Sequence, residues 1–368
     1  MVLALHNFLP VSFEPLVPIM RKPAVLIISP ALANANNGNW QTAWRWSRML
    51  APDFEPFIAK HWRDEGAHGE APGGQPFEVM LALHARRSAD SIAAWAKAKG
   101  AHSGAGSGAG SGARGLGVVL TGTDLYRDIQ TDGLAQESLR RAGRLVVLQE
   151  RGPDALPAEF RFKTRVIFQS TTPRQTLAKP KTRLRAVMVG HLREEKSPQT
   201  LFEAARLLKA YPDIFIDHIG EPLDETLGEQ ARTTALECPN YRWFGGLAHD
   251  VTRARIQRAH VLIHASNMEG GAHVVMEAVC SGTPVLASRI DGNVGMLGAN
   301  YPGYFELGNA QALASLLVRI RKCQLTAGTA LEDTYLTQLQ THCAKRAPLF
   351  DPVAEQKALV NLVNDLLN

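Results

Sequence analysis

The feature that most constrains the fold is an alternation that the chain makes twice. Short apolar runs at 24–29, 57–60, 78–84, 116–120, 145–148 and 165–169 occupy the first half. Runs at 185–189, 214–219, 241–244, 261–265, 284–288 and 304–307 occupy the second. Most are apolar at consecutive positions, which suits strands buried on both faces in a parallel sheet. Segments with helical periodicity lie between them. In one, Ala43, Trp46 and Leu50 form an apolar stripe, and Trp40 and Trp44 are neighbours at i, i+4. Strand, loop, helix in repetition predicts a doubly wound α/β sheet. The pattern restarts at Arg185, after a Pro- and Lys-rich stretch at 171–182. The expectation is therefore two Rossmann-like domains facing each other over a cleft.

The chain has 368 residues, enough for two ordinary domains. The expected division is an extension at 1–22, disordered or non-native; a domain at 23–172; a second at 183–346; and a segment at 347–368 whose helix packs back towards the first domain. The extension is apolar at 2–5 but lacks a positive leading segment, and Pro10, Pro15 and Pro18 interrupt it, so a signal peptide is not expected. No apolar run is long enough to span a membrane. Residues 99–115 are Gly-, Ala- and Ser-rich and read as a flexible surface loop without chemistry. The net charge of +5 is mild, with no basic run suited to a nucleic-acid backbone. The four cysteines, Cys238, Cys280, Cys323 and Cys343, lack metal spacing. No metal or cofactor is expected, and the cysteine usage fits a reducing cytoplasm.

Ser266-Asn-Met-Glu-Gly-Gly-Ala-His-Val-Val-Met-Glu-Ala278 is the stretch richest in chemistry. A strand precedes it, and a helix is expected from its glycines to about residue 281. Gly270 and Gly271 leave the first helical N–H groups open to a phosphate. Glu269 and Glu277 lie a little over two turns apart, and His273 shares a helix face with Glu277. Carboxylates accept hydrogen bonds from sugar and ribose hydroxyls. An anion site flanked by two hydroxyl acceptors describes a nucleotide sugar. The plain alternative is a surface helix with two solvated glutamates.

Two first-half loops that follow strands carry polar chemistry. Asn34, Asn36, Asn37, Gly38 and Asn39 crowd the loop after the first, where Gly38 would let a ligand approach; the alternative is an Asn-Gly turn. Thr121-Gly-Thr-Asp-Leu-Tyr-Arg-Asp128 ends another, where Asp124 could accept a hydroxyl proton and Arg127 meet an anion. There the alternative is a helix cap made by Thr123 or Asp124.

The Glu-x7-Glu spacing resembles the signature of the family 4 glycosyltransferases, which have the two-domain GT-B fold. Gly190-His-Leu-Arg-Glu-Glu-Lys-Ser197 resembles the Gly-Arg-(four residues)-Lys-Gly loop of those enzymes. Lys196 matches the lysine, His191 stands at the arginine position, Ser197 stands at the second glycine, and Arg193 lies nearby. The resemblance implies that Lys196, with His191 or Arg193, stabilises the leaving diphosphate. It also implies that Glu277 binds ribose and Glu269 the transferred sugar, with Gly38, Gly270 and Gly271 lining the donor.

Asn36-Asn-Gly-Asn-Trp-Gln-Thr-Ala43, Leu83-His-Ala-Arg-Arg-Ser88 and Leu120-Thr-Gly-Thr-Asp-Leu-Tyr-Arg-Asp128 resemble the selenosugar synthases of selenoneine biosynthesis. That resemblance implies transfer of N-acetylglucosamine or a related hexose from a UDP-sugar to selenophosphate, forming a carbon–selenium bond. The acceptor would lie among Asn37, His84, Arg86, Arg87, Thr121, Thr123 and Arg127, with Asp124, Lys196 and Glu269 as catalytic residues. Thr121 stands where many oxygen-acceptor relatives have histidine. Functional coupling to a selenophosphate-producing enzyme and a selenoneine synthase would follow. Two alternatives stay open: a family 4 enzyme with an alcohol or thiol acceptor, and a sugar-nucleotide-binding protein without transfer activity.

Overall fold

The computed structural model describes residues 21–31, 38–63, 70–100, 112–326 and 334–368. Asn34, Asn36, Asn37, the extension at 1–20 and most of the Gly-Ala-Ser segment lie outside them.

Two six-stranded parallel sheets form the core. The first uses β1 (Ala24–Ile28), β2 (Glu55–Ala59), β5 (Val79–Leu83), β6 (Leu116–Val119), β7 (Arg144–Val147) and β8 (Thr164–Val166), in the order β2-β1-β5-β6-β7-β8. A small antiparallel hairpin, β3 (Glu70–Ala71) and β4 (Gln75–Pro76), stands apart. The second sheet uses β9 (Leu184–Val189), β10 (Ile214–Ile219), β11 (Tyr241–Trp243), β12 (Val261–His264), β13 (Val285–Ser288) and β14 (Tyr304–Phe305), in the order β11-β10-β9-β12-β13-β14. The central strands β1, β5, β6, β12 and β13 are buried at every position, so helices must cover both faces.

These orders locate the chemistry. Strand order reverses between β1 and β5 in the first sheet and between β9 and β12 in the second. Ligands of doubly wound sheets bind at such switch points, outside the carboxyl ends of the strands. The loops in question are therefore those after β1, β5, β9 and β12.

The last helix, Pro352–Leu367, packs on the first sheet. Leu359, Leu362, Val363 and Leu366 join the cluster of Val25, Ile27, Leu81 and Val146. Its first turn carries Glu355, whose carboxylate is buried. Glu355 accepts from Trp46 Nε1 at 2.6 Å, Arg45 Nε at 3.0 Å, the Ser170 N–H at 2.7 Å and Ser170 Oγ at 2.5 Å. A buried carboxylate is tolerable only with such partners. It binds together the Gly38–Leu50 helix, the end of the first half and the returning helix.

Several elements differ from the sequence expectation. The helix of the Ser266–Ala278 stretch covers only His273–Val279, so Gly270 and Gly271 lie in the loop before it. It ends because Gly282 takes φ +68°, a left-handed value that glycine adopts without penalty. Helices Asp291–Leu297 and Tyr335–Arg346 were not anticipated.

Candidate active site

The Gly190–Ser197 and 265–272 loops adjoin because β9 and β12 are neighbours. Asn267 ties them, its N–H donating to the Glu195 carbonyl at 3.0 Å and its Nδ2 to that of Glu194 at 3.2 Å. Lys196 ends a single turn, Glu194–Lys196, and Ser197 follows with φ +47°. This is the position where family 4 loops carry glycine. The left-handed backbone is kept although serine adopts it less readily. Gly190 lies under the Lys196 stem, where an added Cβ would approach Cγ and Cδ at 3.3 Å.

Lys196 Nζ meets Glu269 Oε1 at 2.5 Å, and His264 Nε2 lies 3.3 Å from the same oxygen. Glu269 is 8% exposed. Burial by itself would raise its carboxyl, but Lys196 and His264 outweigh that and hold it well below the usual carboxylate range. Glu277, also buried, bonds His249 Nε2 at 2.7 Å and lies 3.6 Å from Arg253 Nε. Arg253 also clamps Thr172, at 2.7 Å to its carbonyl. His273 is pushed down to about 3 by burial, then by Arg45, and so stays neutral. His191 Nδ1 accepts from the Glu221 N–H at 3.1 Å, and Arg193 is 3.9 Å from Glu195.

On the facing side, His84 follows β5 with φ +74°, an uncommon conformation for a residue with a side chain. Its ring is buried. Nδ1 accepts from the Arg87 N–H at 3.4 Å, which leaves Nε2 to donate to Thr123 Oγ1 at 3.2 Å. Burial lowers its pKa and Asp124 offsets this only in part, so the ring is neutral. Strained, enclosed residues of this kind cluster at functional sites.

Two expectations need correcting here. Asp124 is not presented to the cleft. It is 0% exposed, Oδ1 accepts from Thr121 N at 2.6 Å and Thr121 Oγ1 at 2.8 Å, and Oδ2 accepts from Ala85 N at 2.8 Å. Burial raises its pKa. It ties the loop after β6 to the loop after β5, and its carboxylate caps no helix among the described residues. The arginines also differ from the expected open cluster. Arg86 pairs with Asp132 at 2.9 Å. Arg127 pairs with Asp128 at 3.1 Å and reaches Glu195 of the other half at 3.6 Å. Arg87 keeps an exposed guanidinium without an ion pair among the described residues.

The two halves touch backbone to backbone at the centre of the site. A Cβ on Gly270 would stand 2.6 Å from Gly122 N and 2.7 Å from the Thr121 carbonyl carbon. One on Gly122 would stand 2.9 Å from Gly270 N, and one on Gly271 2.8 Å from Leu148 Cβ. The expectation of an open phosphate cradle at Gly270 and Gly271 is thus corrected: their bare faces receive the facing domain. Gly38 is exposed, with nothing among the described residues within 4 Å of a Cβ placed on it.

His249, Arg253, His264 and Arg45 were missed from sequence. His249, Arg253 and Arg45 act on residues distant along the chain, so no local spacing announces them; His264 ends β12, close in sequence to its partner Glu269, and was read only as strand. Among the described residues, no group of three or more His, Cys, Asp or Glu could hold a metal. No helix among them is long and apolar enough to cross a membrane. A cavity of about 500 Å³ between Thr171, Cys280 and Phe350 lies away from Lys196 and offers no cation for a diphosphate.

Two Rossmann-like sheets with their carboxyl-end loops facing across a closed cleft define the GT-B fold. The chain superposes on sucrose-phosphate synthase from Thermosynechococcus elongatus with a TM-score of 0.69 at 16% identity, covering 94% of this chain and 99% of that one. It superposes on S. aureus TarM in complex with UDP and alpha-GlcNAc-glycerol with a TM-score of 0.54 at 16% identity, covering 77% and 55%. The expected fold is therefore met. Residues 169–330, which contain Lys196, Glu269 and Glu277, match the family described as Glycosyl transferases group 1. A putative teichuronic acid biosynthesis glycosyltransferase, TuaC of Bacillus subtilis (strain 168), is 27% identical over 175 residues, 47% of this chain. The match spans 42% of that relative's length.

Proposed function

We propose that the protein is a glycosyltransferase that moves a hexosyl or hexosaminyl group from a UDP-sugar to selenophosphate. The observation that carries this reading is the meeting of the Lys196–Glu269 pair with the Thr121–Gly122 loop, beside the strained His84. The match of residues 169–330 to group 1 glycosyltransferases supports the donor half of it. So does UDP in the TarM complex.

In this reading a selenium lone pair attacks the anomeric carbon as the bond from that carbon to the diphosphate oxygen breaks. UDP departs with the bonding electrons. Lys196, with His191 or Arg193, stabilises the growing charge on the diphosphate, where a positioned cation contributes most in the transition state. Glu277 takes the ribose hydroxyls and Glu269 the sugar. Lys196 is already bound to Glu269, so the diphosphate shares the ammonium, which has three donors. Selenophosphate arrives as an anion and needs little deprotonation, which suits a site whose Asp124 is enclosed and whose His84 has both ring nitrogens engaged. Arg87 offers the exposed cation for its phosphate. The reaction calls for an enzyme that supplies selenophosphate and another that carries the selenosugar towards selenoneine.

A second reading, transfer to an alcohol or thiol, is favoured by one observation: Arg86 and Arg127 are already engaged by carboxylates. Purified protein incubated with several UDP-sugars, with and without selenophosphate, separates the two by mass spectrometry. A selenium-containing sugar formed only with selenophosphate supports the first reading. Efficient transfer to a simple alcohol supports the second.

A further inference from the structure

The Arg258 side of the His249–Arg258 helix borders a cavity of about 400 Å³, lined by Arg185, Asp217, Asp250, Ala254, Arg255 and Arg258. It lies beside β9 and β10, away from Lys196. At its base Asp217 is 2% exposed. Arg242 alone satisfies Oδ1, from Nε at 2.9 Å and from its terminal nitrogen at 2.5 Å. Arg185 and Arg255 each stand 3.8 Å from Oδ2, inside ion-pair range but beyond hydrogen-bond length. Arg185 Nε is buried and has no acceptor among the described residues. Arg255 is held flat by stacking on Phe244, its guanidinium carbon 4.0 Å from the ring centre. Arg258 is exposed and has no ion pair among the described residues. Four guanidinium groups thus face two carboxylates, Asp217 and the exposed Asp250.

One buried carboxylate, Asp217, is thus met by a surplus of part-exposed guanidinium groups, and the buried Nε of Arg185 is left without an acceptor among the described residues. A tetrahedral oxyanion would complete the cluster, since its oxygens accept from planar forks two at a time. We propose that this cavity is an oxyanion site for orthophosphate or a phosphate monoester, held by Arg185, Arg255 and Arg258. The helix that carries Arg255 and Arg258 also presents His249 and Arg253 to Glu277. Occupancy of the cavity is therefore coupled to the nucleotide side of the cleft; this coupling rests on the proposed donor reading, whereas the site itself does not.

Isothermal titration of the full chain with orthophosphate, and separately with glucose 6-phosphate, tests the site. Arg255→Gln and Arg258→Gln, each a change at the rim, should weaken binding at least about tenfold, the loss of one charge-assisted hydrogen bond. Lys196→Ala should leave that binding in place. Tighter binding of glucose 6-phosphate assigns the ester as ligand; tighter or equal binding of orthophosphate assigns the free ion. No binding of either at millimolar concentration overturns the proposal, as does binding lost in Lys196→Ala but unchanged in both arginine variants. A UDP dissociation constant that shifts on phosphate saturation in the parent protein, and not in Arg258→Gln, supports the coupling. An unshifted constant in a protein that binds both ligands overturns the coupling alone.

Discussion

Replacing Lys196 by alanine separates what this residue does for the fold from what it does for the reaction. Its ammonium lies 2.5 Å from Glu269, and the two side chains are only 16% and 11% exposed. Removing one member of a buried pair leaves the other charge without compensation and costs about 3–5 kcal/mol. His264, 3.3 Å from the same oxygen, softens the loss, so the lower end is expected. Turnover should fall at least about 100-fold, as for removal of a comparable electrostatic contact. Adding Glu269→Gln to Lys196→Ala removes the stranded charge. It should restore at least half of the lost stability and none of the lost turnover. Urea unfolding with a shared m-value gives the first quantity and the initial rate of UDP release the second. A stability loss under about 1 kcal/mol would refute the burial argument. A double variant that regains activity along with stability would show that Lys196 serves the fold alone.

Three further outcomes follow from the geometry. Gly270→Ala should hold the two halves apart, because its Cβ would stand 2.6 Å from Gly122 N; small-angle scattering should give a larger radius of gyration and assays a large loss of turnover, and unchanged values of both would contradict the closed contact. Glu355→Gln should lower the unfolding midpoint, since the amide keeps acceptors for Ser170 on one oxygen only and gives up the charge that Arg45 meets at 3.0 Å; the variant being as stable as the parent would count against this knot. Acid should destabilise the protein below neutrality. His218 is fully buried and pushed down to about 4, so the unfolded chain takes up its proton first. The stability it contributes is complete above pH 6.5 and is lost from there to about pH 4, at about 1.4 kcal/mol per pH unit. Glu269, held low, adds a further loss only below about pH 4.5. His218→Gln should flatten the upper limb, and an identical pH profile in that variant would exclude His218 as its source.

The sheets were legible in the sequence because β1, β5, β6, β12 and β13 are buried on both faces and so read as unbroken apolar runs. Helix Asp291–Leu297 was not, because Gly292 and Gly295 argue locally against a helix. Packing requires them: a Cβ on Gly292 would run into the Glu269 carbonyl, and one on Gly295 into Gln149. Tyr335, Leu339 and Cys343 do recur at helical spacing, a signal that was present in the second missed helix. At the site, Glu269, Glu277 and Lys196 could be singled out from spacing and resemblance. The role of Gly270 and Gly271 could not, since the atoms they accommodate come from Thr121, Gly122 and Leu148, far away in the chain. Asp124 was misread for a similar reason: its partner Ala85 belongs to another loop. Contacts supplied by another loop, as at Gly270, Gly271 and Asp124, leave no local spacing in the sequence, whereas the Glu-x7-Glu spacing and the resemblance sufficed for Lys196, Glu269 and Glu277.

The central claim is that carbon–selenium bond formation takes place in this cleft, and nuclear magnetic resonance tests it most directly. A UDP-sugar with an isotopically labelled anomeric carbon is incubated with isotopically labelled selenophosphate and the protein. The account predicts a one-bond coupling between the anomeric carbon and selenium, accumulating in step with UDP and absent with Lys196→Ala. UDP release without that coupling, or a label found only on an oxygen-linked product, would contradict it.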